Sequence, residues 1–210
     1  MTTDWLAWHR DYEDPSSQLS RRLVVVRRRV GESLDALGAD ARRVLSLCAG
    51  TGGDLLPELA ARPRLSPETL LVEANAELVD AARAAAASAA LDHVRVRCAD
   101  AGRLASFADV LPVDLLLLCG IFGNLSGRDI QRTVSAAPGM LRRGALVVWT
   151  RGRFEGEDLR PTVRRWFVDT GFDEVAYDGE PESYGVGVAR WAGPGPGGRE
   201  VPERLFTFVR

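Results

Sequence analysis

The chain has 210 residues, 46% hydrophobic and 27% charged, and its 27 Lys and Arg against 29 Asp and Glu leave a formal charge of −2. These values describe one globular domain large enough to bury its own core, and they exclude an overall charge that would draw it to nucleic acid or an anionic membrane. The three cysteines, Cys48, Cys98 and Cys119, are odd in number and sit at strand-like positions, which argues against a disulfide framework. Asp114 interrupts the approach to the apolar run Leu115 to Cys119, so no membrane span is expected. Asp4, His9, Arg10 and Asp11 stand where a signal peptide would be apolar, so the expected location is cytoplasmic. No metal site is expected.

Trp5, Trp8 and Tyr12 recur at helical spacing before a break at Pro15-Ser16-Ser17. From Leu19 the apolar positions Leu23, Val26, Val30, Leu34 and Leu37 step by three or four, which predicts an amphipathic helix ended by Gly38. Its arginines (Arg21, Arg22, Arg27, Arg28, Arg29) read as a solvated helix face, since no aromatics are interleaved. Residues 1–40 are thus expected to form an N-terminal helical cap on a core at 41–210, within one domain.

The core alternates strand and helix. Expected strands are Arg43 to Leu47, Thr69 to Glu73, Val94 to Cys98, Asp114 to Cys119, Ala145 to Thr150 and Phe172 to Tyr177. Helices are expected at Asp54 to Ala61, Ala76 to Ala90, Arg128 to Leu141 and Leu159 to Thr170. Gly193 to Gly198 reads as a loop, and Arg204 to Val209 as the closing strand. Tyr184 to Trp191 is extended on one reading, and its place in the sheet is open. The alternation defines a Rossmann-like, doubly wound α/β sheet.

Ligands of such a sheet bind beyond the carboxyl ends of its strands, where strand order reverses. Four strand ends therefore matter. The first carries Cys48-Ala49-Gly50-Thr51-Gly52-Gly53-Asp54, a glycine turn that lets backbone approach a ligand. Asp54 is either a helix cap or a carboxylate facing the ligand. Glu73, followed by Ala74 and Asn75, lies about twenty residues on, where a carboxylate accepts hydrogen bonds from both hydroxyls of a ribose. Asp100, next to Ala101, is placed to meet an adenine amino group or to cap a turn. Cys119 and Gly120 end the fourth strand.

In their order these segments resemble the class I S-adenosylmethionine-dependent methyltransferases. Val-Leu-Ser-Leu-Cys-Ala-Gly-Thr-Gly resembles that family's first motif, Leu-Val-Glu-Ala-Asn its second and Arg-Cys-Ala-Asp-Ala its adenine-side motif. Val-Asp-Leu-Leu-Leu-Leu-Cys-Gly-Ile-Phe-Gly-Asn resembles the fourth, and the likeness runs over about residues 43 to 178. Ser46 stands where the family often has an acid, and Cys48 where it commonly has glycine. The resemblance implies S-adenosylmethionine as cofactor, S-adenosylhomocysteine as product and a seven-stranded sheet with an antiparallel last strand, a place that suits Arg204 to Val209. It also implies methyl transfer by in-line displacement, which asks the protein chiefly for orientation and exclusion of water.

Acceptor-side candidates follow. An N-terminal helix closes over the cofactor in many small methyltransferases, which makes Trp8 a wall of the acceptor pocket and His9 and Tyr12 its catalytic candidates; the plainer reading is that they dock the segment. Phe122 and Asn124 occupy the family's acceptor region. Arg151 and Arg153 either meet an acidic substrate or belong to a surface loop, and Tyr184 is a further pocket candidate. His93 precedes the third strand, at the wrong edge for chemistry. The expected partner is a small-molecule acceptor, with no nucleic acid and no membrane, and the protein is expected as a monomer or homodimer. The alternatives are a non-catalytic nucleoside-binding module and an NAD(P)-dependent dehydrogenase. The dehydrogenase would want a full Gly-x-Gly-x-x-Gly turn for its diphosphate, whereas here Gly50, Gly52 and Gly53 are followed by Asp54, an anion badly placed for one.

Overall fold

The computed structural model describes residues 14, 17–153, 158–195 and 200–209. Trp5, Trp8, His9, Tyr12, Pro15 and Ser16 lie outside the described residues, and with them the segment expected to close over the cofactor and most of the break after it.

Five parallel strands form first: β1 (Arg43–Leu47), β2 (Glu68–Glu73), β3 (Val94–Cys98), β4 (Val113–Leu118) and β5 (Leu141–Gly152). β6 (Phe172–Asp178) and β7 (Tyr184–Trp191) complete a seven-stranded sheet of order β3-β2-β1-β4-β5-β7-β6. β7 lies antiparallel between β5 and β6, and the other six strands share one direction. Strand order reverses between β1 and β4, so their carboxyl ends border the crevice where such sheets bind ligands.

Helices cover both faces. Alternate side chains of the inner strands divide between them, as a strand's period of two requires. Leu45, Leu47, Leu116, Leu118 and Trp149 pack under α4 (Gly127–Ala136) and α5 (Arg160–Thr170), against Ile130, Val134 and Phe167. Val44, Leu115, Leu117 and Val148 pack under α1 (Gln18–Leu37), α2 (Leu56–Ala60) and α3 (Ala76–Ser88). On α1 the buried Val26, Val30 and Leu34 form one stripe at steps of four, and the Ser17 hydroxyl accepts the Ser20 N–H to start the helix. Asp114 opens β4 and is itself buried. Its carboxylate accepts the N–H groups of Arg42 and Arg43 at 3.0 and 2.9 Å, which staples the amino ends of β1 and β4 together.

Three expectations are corrected. The antiparallel strand is Tyr184–Trp191, not Arg204 to Val209. The glycines of this strand leave the room that neighbouring side chains need. A Cβ on Gly187 would stand 2.2 Å from the indole of Trp149, and one on Gly185 2.6 Å from the Tyr177 hydroxyl. Residues 204–209 instead make only isolated bridges, Arg204 to Arg103 and Phe208 to Leu125. The helix expected at Arg128 to Leu141 stops at Ala136 and tightens into a 3-10 turn at Ala137–Met140, because Pro138 cannot continue an α-helix. The α1 arginines are a solvated face only in part: Arg21 and Arg28 are exposed, whereas Arg22, Arg27 and Arg29 are partly buried. Arg28 and Arg29 reach Asp178 of β6 at 2.7 and 2.6 Å, and the Arg27 Nε donates to the Gly53 carbonyl at 2.6 Å.

Candidate active site

A cavity of about 1,010 Å³ opens at the carboxyl edge of the sheet, over the β1–β4 reversal. Its volume is at the upper end of small-molecule sites, about 300–1,000 Å³. Along the sheet it is bordered by Asp100 and Ala101 after β3, Glu73 to Asn75 after β2, the glycine turn after β1, Cys119 and Gly120 after β4, and Thr150 of β5.

The glycine turn takes left-handed backbone at Cys48 (φ 53°), Gly50 (φ 55°) and Gly52 (φ 73°). Cys48 is thus a side-chain residue in a conformation that favours glycine, a local strain kept by its surroundings. Burial pushes its thiol well above the ordinary range. Gly52 does not border the cavity. A Cβ there would stand 2.8 Å from both Leu56 and Leu71, so this glycine lets α2 pack on the sheet. The turn is held from β2. Glu73 accepts the Gly50 N–H on one oxygen and those of Ala74 and Asn75 on the other, each at 2.9 Å. Three of its roughly four acceptor positions are therefore taken by amides, leaving one toward the cavity rather than a free pair for two hydroxyls. Asn75 caps α3, its Oδ1 accepting the N–H groups of Glu77 and Leu78.

Asp54 ends the turn and is not a helix cap: the cap position of α2 is the next residue, Leu55, and no side chain makes a capping bond there. The Oδ1 of Asp54 is closed off from solvent without any hydrogen-bond partner. Burial raises the pKa of the carboxyl from 3.8 to about 6, against the pull of the backbone N–H groups of Asp54 and Leu55 and of the nearby Arg27 and Arg22 charges. The Cys119 thiol beside it is pushed up by the same burial and then by the Asp54 charge. Arg22, Leu23, Val26 and Arg27 all border the cavity, so the first turns of α1 form its roof. Nothing in the α1 sequence separates a roof arginine from a solvated one, because both occupy the polar side of the helix.

After β4, Gly120 (φ 78°) donates its N–H to the Thr150 hydroxyl at 2.8 Å, and the Asn124 amide donates to the Gly120 carbonyl at 3.1 Å. Asn124 and Thr150 border the cavity. Phe122 and Arg151 build this turn from behind. Phe122 is wholly buried against Trp149, and the 3%-exposed Arg151 donates to the Phe122 carbonyl at 2.8 Å. Neither side chain reaches the cavity, and Arg151 is not part of a surface loop. Tyr184 is buried in β7, also away from the cavity, and His93 lies at the opposite edge, its carbonyl accepting the Thr69 N–H.

The remaining wall is the C-terminal segment: Arg204, Phe206, Thr207 and Phe208 border the cavity. Sequence reading missed them by placing them in the sheet. The signal was the run Leu205-Phe206-Thr207-Phe208, too apolar for a free tail, of which Leu205 and Phe206 are buried and Phe208 is left at the rim. Among the described residues no group of three His, Cys, Asp or Glu side chains is placed to hold a metal, and no helix is long and apolar enough to cross a membrane.

No family model matches the chain, and no curated protein matches it. Solved structures do. Magnesium protoporphyrin IX methyltransferase from Synechocystis, with bound SAM, aligns with a TM-score of 0.67 over 90% of this chain and 91% of its own, at 13% identity. The glycopeptide N-methyltransferase complexed with S-adenosyl-L-methionine aligns at 0.55 over 76% and 92%, at 16% identity. An O-methyltransferase family protein from Burkholderia thailandensis gives 0.61 over 86% of this chain at 17% identity; the chain spans 61% of that protein and 54% of a pyocyanin biosynthetic protein that also aligns. The fold is that of the class I S-adenosylmethionine-dependent methyltransferases.

Proposed function

We propose that the chain is an S-adenosylmethionine-dependent methyltransferase with a small-molecule acceptor. One observation carries the reading: a single cavity bordered, in sheet order, by Asp100, Glu73, the glycine turn with Asp54, and the β4 turn. An adenosyl amino acid has a group for each part of this border: an amino-bearing base for Asp100, a diol for Glu73, an ammonium for Asp54, and a sulfur to face the β4 turn. The fit is strongest at Asp54, whose partnerless oxygen calls for a donor that the protein does not provide, with Arg22 and Arg27 nearby to balance a carboxylate.

S-adenosylmethionine supplies an activated methyl group when bound. The chain's own residues bind and orient. Asp100 accepts from the base amino group, Glu73 offers its one remaining acceptor position to the ribose, and Asp54 accepts from the ammonium. Asn124 and Thr150, next along the edge, flank the acceptor. Holding it in line and excluding water is the main catalytic task of the protein. From the N-terminal segment, Trp8 walls the acceptor while His9 or Tyr12 takes a proton where the acceptor has one to lose.

Titration calorimetry with S-adenosylhomocysteine and with NADH tests the reading. Micromolar binding of S-adenosylhomocysteine, about −8 kcal/mol, is expected. Tighter binding of NADH overturns it.

A further inference from the structure

The chain continues past the sheet in a way the fold does not require. β7 ends at Trp191, paired with the start of β6 at the amino edge of the sheet. Residues 203–209 nonetheless lie at the carboxyl edge, strapped across the turns after β3 and β4. On the β3 side the Glu203 carbonyl accepts the Leu104 N–H at 2.9 Å and the Leu205 N–H donates to the Gly102 carbonyl at 2.8 Å. On the β4 side the Val209 N–H donates to the Asn124 carbonyl at 2.9 Å, and the Thr207 N–H donates to Asp129 at 3.2 Å. Leu205 and Phe206 are buried. Gly102 is shaped for this docking, since a Cβ there would stand 2.4 Å from the Phe206 carbonyl oxygen, backbone that no rotamer change can move aside.

What the strap brings to the cavity is specific. Arg204 Nη1 lies 3.1 Å from Asp100 Oδ2, while Asp100 Oδ1 accepts the Gly102 N–H at 2.8 Å. The carboxylate is therefore held at both oxygens, once by the β3 turn and once by the strap. Phe208, 38% exposed and stacked on Phe206 at 5.8 Å, presents a ring at the rim.

We propose that this strap is the base-reading wall of the site: Arg204 is a positioning residue that fixes the Asp100 carboxylate as an acceptor for the amino group of a 6-aminopurine, and Gly102 admits the backbone that carries it. The inference rests on the proposed adenosyl reading. An ionised carboxylate only accepts hydrogen bonds, so it pairs with a 6-amino group and faces a 6-oxo group with no proton between them. Asp100 is half exposed, so water softens that discrimination to about tenfold.

The test is calorimetry on the full chain with S-adenosylhomocysteine and S-inosylhomocysteine, for the wild type, Arg204→Gln and Gly102→Ala. The wild type should favour the adenosyl ligand by about tenfold. Both variants should bring the ratio close to one, mainly by weakening the adenosyl ligand, and Arg204→Lys should restore part of it. Arg204 is exposed enough for its variants to fold even where Gly102→Ala does not. Equal affinities in the wild type, or an unchanged ratio in Arg204→Gln, overturn the strap proposal while leaving the methyltransferase reading in place. Failure of the wild type to bind either ligand overturns both.

Discussion

Asp54→Asn separates the cost of burying this carboxylate from its use in binding. Burial moves the Asp54 pKa from 3.8 to about 6, so the folded chain holds this carboxyl protonated more readily than the unfolded chain does. A raised folded pKa contributes stability that is fully present below pH 4 and lost as pH rises through about 6. The displacement is worth about 3 kcal/mol, or roughly 6–12 °C in Tm for a domain of this size. The ligand-free Asp54→Asn variant should therefore melt above the wild type at pH 8, with the gap closing toward pH 5. S-adenosylhomocysteine should reverse the order, because its ammonium gives the ionised carboxylate a partner. Wild-type affinity should rise steeply from pH 5 to 7, whereas the variant should bind about 10–100-fold more weakly at pH 7.5 with a flat profile. Scanning calorimetry at the two pH values, with and without ligand, reads both effects. A ligand-free variant that melts below the wild type at pH 8 refutes the claim that burial of the Asp54 charge costs more than its surroundings return.

Other outcomes are equally specific. Glu73→Ala releases the N–H groups of Gly50, Ala74 and Asn75, so it should weaken S-adenosylhomocysteine by about 1.5–3 kcal/mol and speed hydrogen exchange at Gly50; slow exchange there would mean the turn holds itself. Gly187→Ala drives a methyl into the Trp149 indole and should cost about 1–3 kcal/mol in urea unfolding, and a neutral result would contradict the close packing of β7 on β5. His93→Ala should leave ligand affinity unchanged, and a loss of affinity with folding intact would contradict its place at the edge away from the cavity; His9→Ala should lower turnover at constant affinity, and unchanged turnover would remove His9 from the acceptor side.

The central strands were legible because β1 and β4 are buried on both faces and read as apolar runs with turns at their ends. From those ends Glu73, Asp100 and the glycine turn followed by the geometry of parallel sheets alone. Other features depend on contacts distant in sequence. The place of Tyr184–Trp191 in the sheet stayed open because Gly185 and Gly187 gain their reason only from Trp149 and Tyr177, which fill the space above them. Arg22 and Arg27 become roof residues only because α1 packs with its first turns over the glycine turn. Asp54 follows a glycine turn as a cap would, and only the burial of its unpartnered Oδ1 sets it apart. The strap was hidden in the same way, since residues 204–209 carry a strand pattern whose partners are two turns rather than a sheet.

The proposed roles of Asp100, Glu73 and Asp54 all depend on how the ligand lies along the strand ends, and a crystal structure with S-adenosylhomocysteine would decide it. The base should lie beside Asp100 and Arg204, the ribose at Glu73, the ammonium on Asp54 Oδ1 and the sulfur facing Gly120 and Asn124. A ligand bound in the reverse direction, with its base at Asp54, or one held outside this cavity, would contradict that arrangement.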